Sequence, residues 1–167
     1  MPVKLSIAGL ATWLWITTLT VVVGCGAASL GAPGWYTHLH KPSYTPAGWA
    51  FGPLWGLLYL AMAVAAWLVW RETGFCQAER PACARTWQAL GLYVGQLILN
   101  AVWLAVFFGH HDLGGAMLVM CMLLAFIIAT LVMFWRQTRL AGWLFLPYMI
   151  WVAFAAVING ALWMMNR

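Results

Sequence analysis

Apolar residues in this chain run on rather than alternate. Stretches near the ~20 residues that a helix needs to cross a bilayer occupy about residues 5–28, 47–70, 84–108, 113–135 and 142–165. Polar and helix-breaking residues collect between them, mostly in 29–46 and 71–83. The pattern predicts an all-α integral membrane protein, a five-transmembrane-helix bundle formed as a single membrane domain over 1–167, with 29–46 as its most irregular loop. Neither long connection can fold alone. Composition agrees, because 65% hydrophobic and 7% charged residues leave more apolar surface than a soluble core can hide.

The first run competes with a signal peptide, since Lys4 precedes it and the small residues "GCGAAS" follow. Its length and its tryptophans favour a retained span over a cleaved one, and the same holds against lipid attachment at Cys25. Basic residues set the orientation. Lys4, Arg71, Arg80, Arg85, Arg136 and Arg139 fall at one side, with only Lys41 and Arg167 opposite. The positive-inside rule then puts the amino terminus in the cytoplasm and the first loop outside, and an all-helical bundle fits a bacterial inner membrane. The net charge of +5 reads as topology and contact with the lipid bilayer. Basic residues form no groove with interleaved aromatics, so nucleic acid is not an expected partner.

Ionisable residues within membrane spans usually mark proton or ion pathways. Here Glu72, Glu79 and Asp112 all fall outside the runs, and the embedded polar groups are neutral: Gln96, Asn100, Asn159 and several Ser and Thr. That argues against an ion-coupled transporter and for a cavity that holds something apolar. Thirteen tryptophans exceed what two interfacial belts require, although eight of them lie near predicted helix ends. Helical spacing sorts the aromatics into stripes: Phe51, Trp55, Tyr59 and Met62 on the second helix; Asn100, Trp103 and Phe107 on the third; Tyr148, Trp151, Ala155 and Asn159 on the fifth. Such stripes are either bundle core or the walls of a pocket in which a few amides supply polarity.

Together, Trp35-Tyr36, Lys41-Pro42, Pro46-x-x-Trp49-x-Phe51-x-Pro53-x-Trp55-x-x-x-Tyr59, Asn100-x-x-Trp103 and Pro147-Tyr148-x-x-Trp151 closing on Asn159 make an unusual signature. It resembles the translocator protein family of tryptophan-rich sensory proteins, also called peripheral benzodiazepine receptors, from about residue 20 to residue 160. Ala47 departs from it, where many members carry a second proline. No Lys or Arg stands within five residues after Tyr148, which breaks the pattern proposed for cholesterol contact.

The resemblance implies a five-helix bundle, usually a homodimer, that binds porphyrins such as protoporphyrin IX beneath the first loop. Sterol-like and benzodiazepine-type molecules are further ligands of the family. Porphyrin enters as ligand, and no cofactor is expected. Carried over, the site would comprise Trp35, Tyr36, Pro42, Trp55, Asn100, Trp103, Tyr148, Trp151 and Ala155, to which the stripes and the loop add Trp49, Phe51, Phe107 and Asn159. The family's links to tetrapyrrole transport and stress sensing imply a membrane receptor or carrier. Light-dependent porphyrin breakdown at positions matching Trp35 and Trp55 would make those residues catalytic. A structural membrane partner is the third reading.

Pro42 and Pro46 exclude helix and stiffen the first loop. Irregular backbone beside a membrane survives where protein or a water-lined cavity satisfies it, so the loop reads as a lid, with Lys41 available to a porphyrin propionate. His38, His40, His110 and His111 share the outer side; neutral imidazole is a common ligand, but no metal-site spacing links them and no metal is expected. Cys76 and Cys83 belong to the loop assigned to the reducing cytoplasm, where free thiols are expected. Cys25 and Cys121 read as small apolar fillers. Gly91-x-x-x-Gly95 is a spacing that lets membrane helices approach closely; with the family habit of pairing through this helix, it is the candidate dimer interface.

Overall fold

The computed structural model describes residues 3–29, 34–73 and 81–167. Five long helices carry the fold: α1 (Val3–Ser29), α3 (Gly48–Thr73), α4 (Pro81–Leu104), α5 (Leu113–Gln137) and α6 (Arg139–Met165). All five are long and apolar enough to cross a membrane. A one-turn helix, α2 (Trp35–His38), interrupts the first loop; hydropathy gives no sign of it because it buries no residue of its own. Gly34 caps it at φ 92°, a left-handed conformation that glycine adopts without a Cβ clash. After α4 the chain widens into a π segment, Ala105–Gly109, in which His110 N–H donates to the Ala105 carbonyl at 3.0 Å. Asp112 then caps α5, its carboxylate accepting from Gly115 N–H at 2.9 Å.

Each helix has an apolar exterior, as lipid requires of a spanning helix: Ile7, Val22, Leu118, Ile128, Ile150 and Val157 are all exposed. Neighbouring contacts place the helices in the ring order α1, α3, α6, α5, α4 and back to α1. The two halves of this ring are filled differently. Away from the first loop, Tyr93 is fully buried among Trp13, Phe134 and Phe145, with ring centroids 5.8–6.2 Å apart, and Thr17 Oγ1 lies 2.7 Å from its hydroxyl. Met62, Ala65, Ala66 and Val69 of α3 complete this packed half.

Gly95 belongs to the packing within one bundle. A Cβ there would stand 2.7 Å from the Phe126 ring of α5, so the glycine admits that ring. Gly91, one turn earlier, faces open space. Cys76 lies outside the described residues. Cys83, at the start of α4, is buried and disulfide-bonded, which corrects the expectation of a free thiol. That expectation rested on compartment alone, and the bonded sulfur of Cys83 overrides it.

Candidate ligand cavity under the first loop

The half of the ring next to the first loop is hollow. A cavity of about 730 Å³ lies between α1, α3, α4 and α6, within the range of ~300–1,000 Å³ usual for small-molecule sites. Phe51, Trp55 and Tyr59 of α3 form one wall, Asn100 and Trp103 of α4 a second, and Trp151 and Ala155 of α6 a third. Leu14, Thr17, Thr18, Val21 and Cys25 of α1 close the fourth side. Gly52 and Gly56 keep α3 from filling the space, since a Cβ at either would meet nothing within 4 Å.

Aromatic rings fix one another around this space. Trp55 stacks on Tyr59 at 5.3 Å and meets Tyr148 edge-on at 6.2 Å, while Phe51 stands edge-on to Trp151 at 5.8 Å. One chain of hydrogen bonds runs from the wall into the packed half. Tyr59 OH donates to Asn100 Oδ1 at 2.7 Å, Asn100 Nδ2 donates to Tyr148 OH at 3.3 Å, and Tyr148 OH donates to Gln96 Oε1 at 2.8 Å. Both ends of the Asn100 amide are thus held by protein, and its orientation is set before any ligand arrives. Trp151 Nε1 is buried without an acceptor, so one indole donor of the wall has no protein partner.

The roof is the first loop. Tyr36 lines the cavity, packs against Phe107 and Phe108 at 6.2 and 5.8 Å, and carries Lys41 Nζ 4.3 Å from its ring centroid. Burial pushes the Tyr36 phenol above its ordinary pKa. Trp35 does not face the cavity space. It stacks on His111 at 4.2 Å with planes 16° apart and meets Phe107 edge-on at 5.8 Å. It belongs to a satellite apolar cluster built from Phe107, Leu113, Ala116, Ile158 and Leu162.

Residues 10–164 match the model of the TspO/MBR family. The chain belongs to the TspO/MBR family. It is 37% identical to the human translocator protein over 154 residues, covering 90% of this chain and 88% of that one. Similarity to the protein CrtK of Rhodobacter capsulatus is 36% over 149 residues, 87% of this chain and 89% of the relative. The tryptophan-rich sensory protein of Cereibacter sphaeroides shares 35% over 150 residues, 87% and 88% of the two chains. With five apolar helices long enough to span, this member of the family is an integral, multi-pass membrane protein.

Against that family frame, the residues singled out by sequence fall into three groups. Tyr36, Phe51, Trp55, Asn100, Trp103, Trp151 and Ala155 line the cavity. Tyr148 and Asn159 stand behind it: Tyr148 is fully buried, and Asn159 accepts from Trp103 Nε1 at 3.4 Å while donating to the Leu113 carbonyl at 3.2 Å. Trp35, Pro42, Trp49 and Phe107 lie off the cavity wall, Trp49 being 81% exposed and Phe107 buried in the satellite cluster. Of the histidines, His111 stacks on Trp35, and His40 is held through its backbone by Asn166. Among the described residues no three His, Cys, Asp or Glu converge as a metal site.

Sequence reasoning missed the α1 face and Phe108. The α1 residues carry no aromatic stripe and no amide, so nothing in their spacing separates them from a lipid-facing helix. Phe108 reaches the wall because the π segment lets the chain lag behind α-helical rotation. Extrapolating the α4 stripe from Asn100 and Trp103 therefore lands on Phe107, one residue early.

Proposed function

We propose that this protein is a membrane receptor or carrier for flat, hydrophobic tetrapyrroles of the protoporphyrin IX type, bound in the cavity beneath the first loop. The observation that carries this reading is the hollow half of the bundle, with Trp55, Trp103, Trp151, Phe51 and Phe108 on its walls. A planar macrocycle gains from stacking on such rings and from leaving water. The few polar groups available suit its periphery. Trp151 Nε1 lacks an acceptor, and Lys41 beside Tyr36 offsets a propionate at the mouth.

The same reading includes a bacterial inner-membrane location with a cytoplasmic amino terminus, supported by the basic residues and opposed by the Cys83 disulfide on the side so assigned, and a homodimer, supported by the open backbone at Gly91. Benzodiazepine-type molecules are secondary ligands on the same apolar grounds, whereas sterol-like ones lack the basic residue after Tyr148 that the proposed contact pattern calls for.

Titration of the purified protein with protoporphyrin IX in dim light, following Trp fluorescence, tests the binding. Saturable quenching is expected, together with slower maleimide labelling of Cys25, a free thiol on the cavity wall. Linear, unsaturable quenching with unchanged labelling would leave the cavity without a porphyrin role. A second reading, light-driven porphyrin breakdown, is favoured by one feature, the Trp55 ring on the wall stacked on Tyr59. It predicts bleaching under illumination that Trp55→Phe abolishes and Trp35→Phe leaves largely intact.

A further inference from the structure

The loop above the cavity is fastened at two places. At its start, Trp35 is stacked on His111 and set against Phe107. Further along, the side chain of Asn166 clasps the backbone of His40. Asn166 Oδ1 accepts from His40 N–H at 2.9 Å, and Asn166 Nδ2 donates to the His40 carbonyl at 3.0 Å. One side-chain amide thus reproduces the two-way exchange that a paired β-strand residue makes. It reads only backbone, so the imidazole of His40 is not required for it.

The clasp is anchored to the bundle as well as to the loop. Asn166 Nδ2 also reaches the Leu162 carbonyl at 2.8 Å, which accepts the backbone N–H of Asn166 as well at 3.1 Å, so the residue is tied to the last turn of α6 by both its side chain and its backbone. Between the two fastenings lies Tyr36, which roofs the cavity. Next to the clasped His40 is Lys41, whose ammonium sits over the Tyr36 ring. Displacing His40 therefore withdraws Lys41 from Tyr36 and loosens the roof, while Trp35 stays seated.

We propose that Asn166 is a positioning residue that holds the first loop shut over the cavity and thereby sets how fast a bound ligand leaves. This rests on the cavity being the ligand site, so the test separates the two. Backbone hydrogen exchange across residues 39–45 is compared in the ligand-free protein for the wild type, Asn166→Ala and Arg167→Ala, followed by protoporphyrin IX release from each. Arg167 lies over Trp163 rather than on the loop and serves as the neighbouring control.

Asn166→Ala is expected to raise exchange at His40 and its neighbours roughly tenfold, as loss of two ordinary hydrogen bonds implies, and to speed porphyrin release severalfold. Helix content, thermal midpoint and exchange at Trp35 should stay near wild type, and Arg167→Ala should change neither quantity. Unchanged exchange in Asn166→Ala overturns the clasp; faster exchange with unchanged release overturns its control of the ligand. If the wild type binds no protoporphyrin IX, the porphyrin reading falls, and the exchange comparison alone decides whether Asn166 holds the loop.

Discussion

Tyr148→Phe removes a single oxygen at the point where the cavity wall meets the packed half. That hydroxyl accepts from Asn100 and donates to Gln96, and Tyr148 is fully buried. Interhelical hydrogen bonds in membranes average about 0.6 kcal/mol each, so the two lost bonds account for roughly 1 kcal/mol. The larger cost falls on Gln96. Its Nε2 already has no partner, and loss of the tyrosine hydroxyl orphans Oε1 as well, leaving a buried amide unpaired at a further ~1–3 kcal/mol. The expected destabilisation is therefore about 2–4 kcal/mol. Gln96→Met orphans the Tyr148 hydroxyl proton but also deletes the donor that was already unpaired and leaves Tyr148 still accepting from Asn100; its cost should fall about 1 kcal/mol below that of Tyr148→Phe. In the double variant the orphaned amide no longer exists, so its loss should be about 2 kcal/mol smaller than the sum of the singles. Reversible unfolding in mixed micelles, followed by circular dichroism, measures all four corners of the cycle. Additivity within about 0.5 kcal/mol, or a Gln96→Met loss as large as that of Tyr148→Phe, would refute the reasoning.

Gly56→Leu should keep helix content and thermal midpoint near wild type, because a Cβ at Gly56 meets nothing, yet weaken protoporphyrin IX about tenfold or more by occupying the cavity, a loss of ~1.4 kcal/mol read by fluorescence titration. Gly34→Ala forces a side chain into the left-handed region and should raise the free energy of the closed loop by about 1 kcal/mol, seen as faster hydrogen exchange at residues 35–38. Tyr36 supplies a pH effect. Burial raises its phenol, so below the ordinary value near 10 both closed and open loops carry it neutral and pH has no leverage. As pH climbs past that value the open loop ionises first and closure weakens. Phenolate absorbance that appears late in the wild type, and disappears from the late phase in Tyr36→Phe, checks this.

The five helices were legible because lipid imposes a continuous apolar run, and no tertiary contact is needed to recognise one. Faces were legible too, though depth along a helix was not. Tyr148, Trp151, Ala155 and Asn159 share a face of α6, but only Trp151 and Ala155 of the four line the cavity, the other two being taken up by hydrogen bonds to Gln96, Asn100, Trp103 and the Leu113 carbonyl. The π segment broke the stripe on α4 within "AVFFG", where the one breaker residue, Gly109, comes only after Phe107 and Phe108. The clasp at Asn166 was invisible for a different reason: an asparagine at the end of a helix is common, and its partner is backbone 126 residues away in sequence.

The uneven filling of the bundle also divides its stability. Residues 62–70 of α3 are locked among buried neighbours, whereas the turns around Gly52 and Gly56 border empty space, so a single continuous helix joins a rigid segment to a loose one. Opening free energy should rise steeply along α3. A molecule seated in the hollow half would supply core that the chain itself never encodes, and would stabilise the folded state by an amount that grows with the logarithm of its concentration above the dissociation constant. For such a molecule, ligand and structural filler would be the same object.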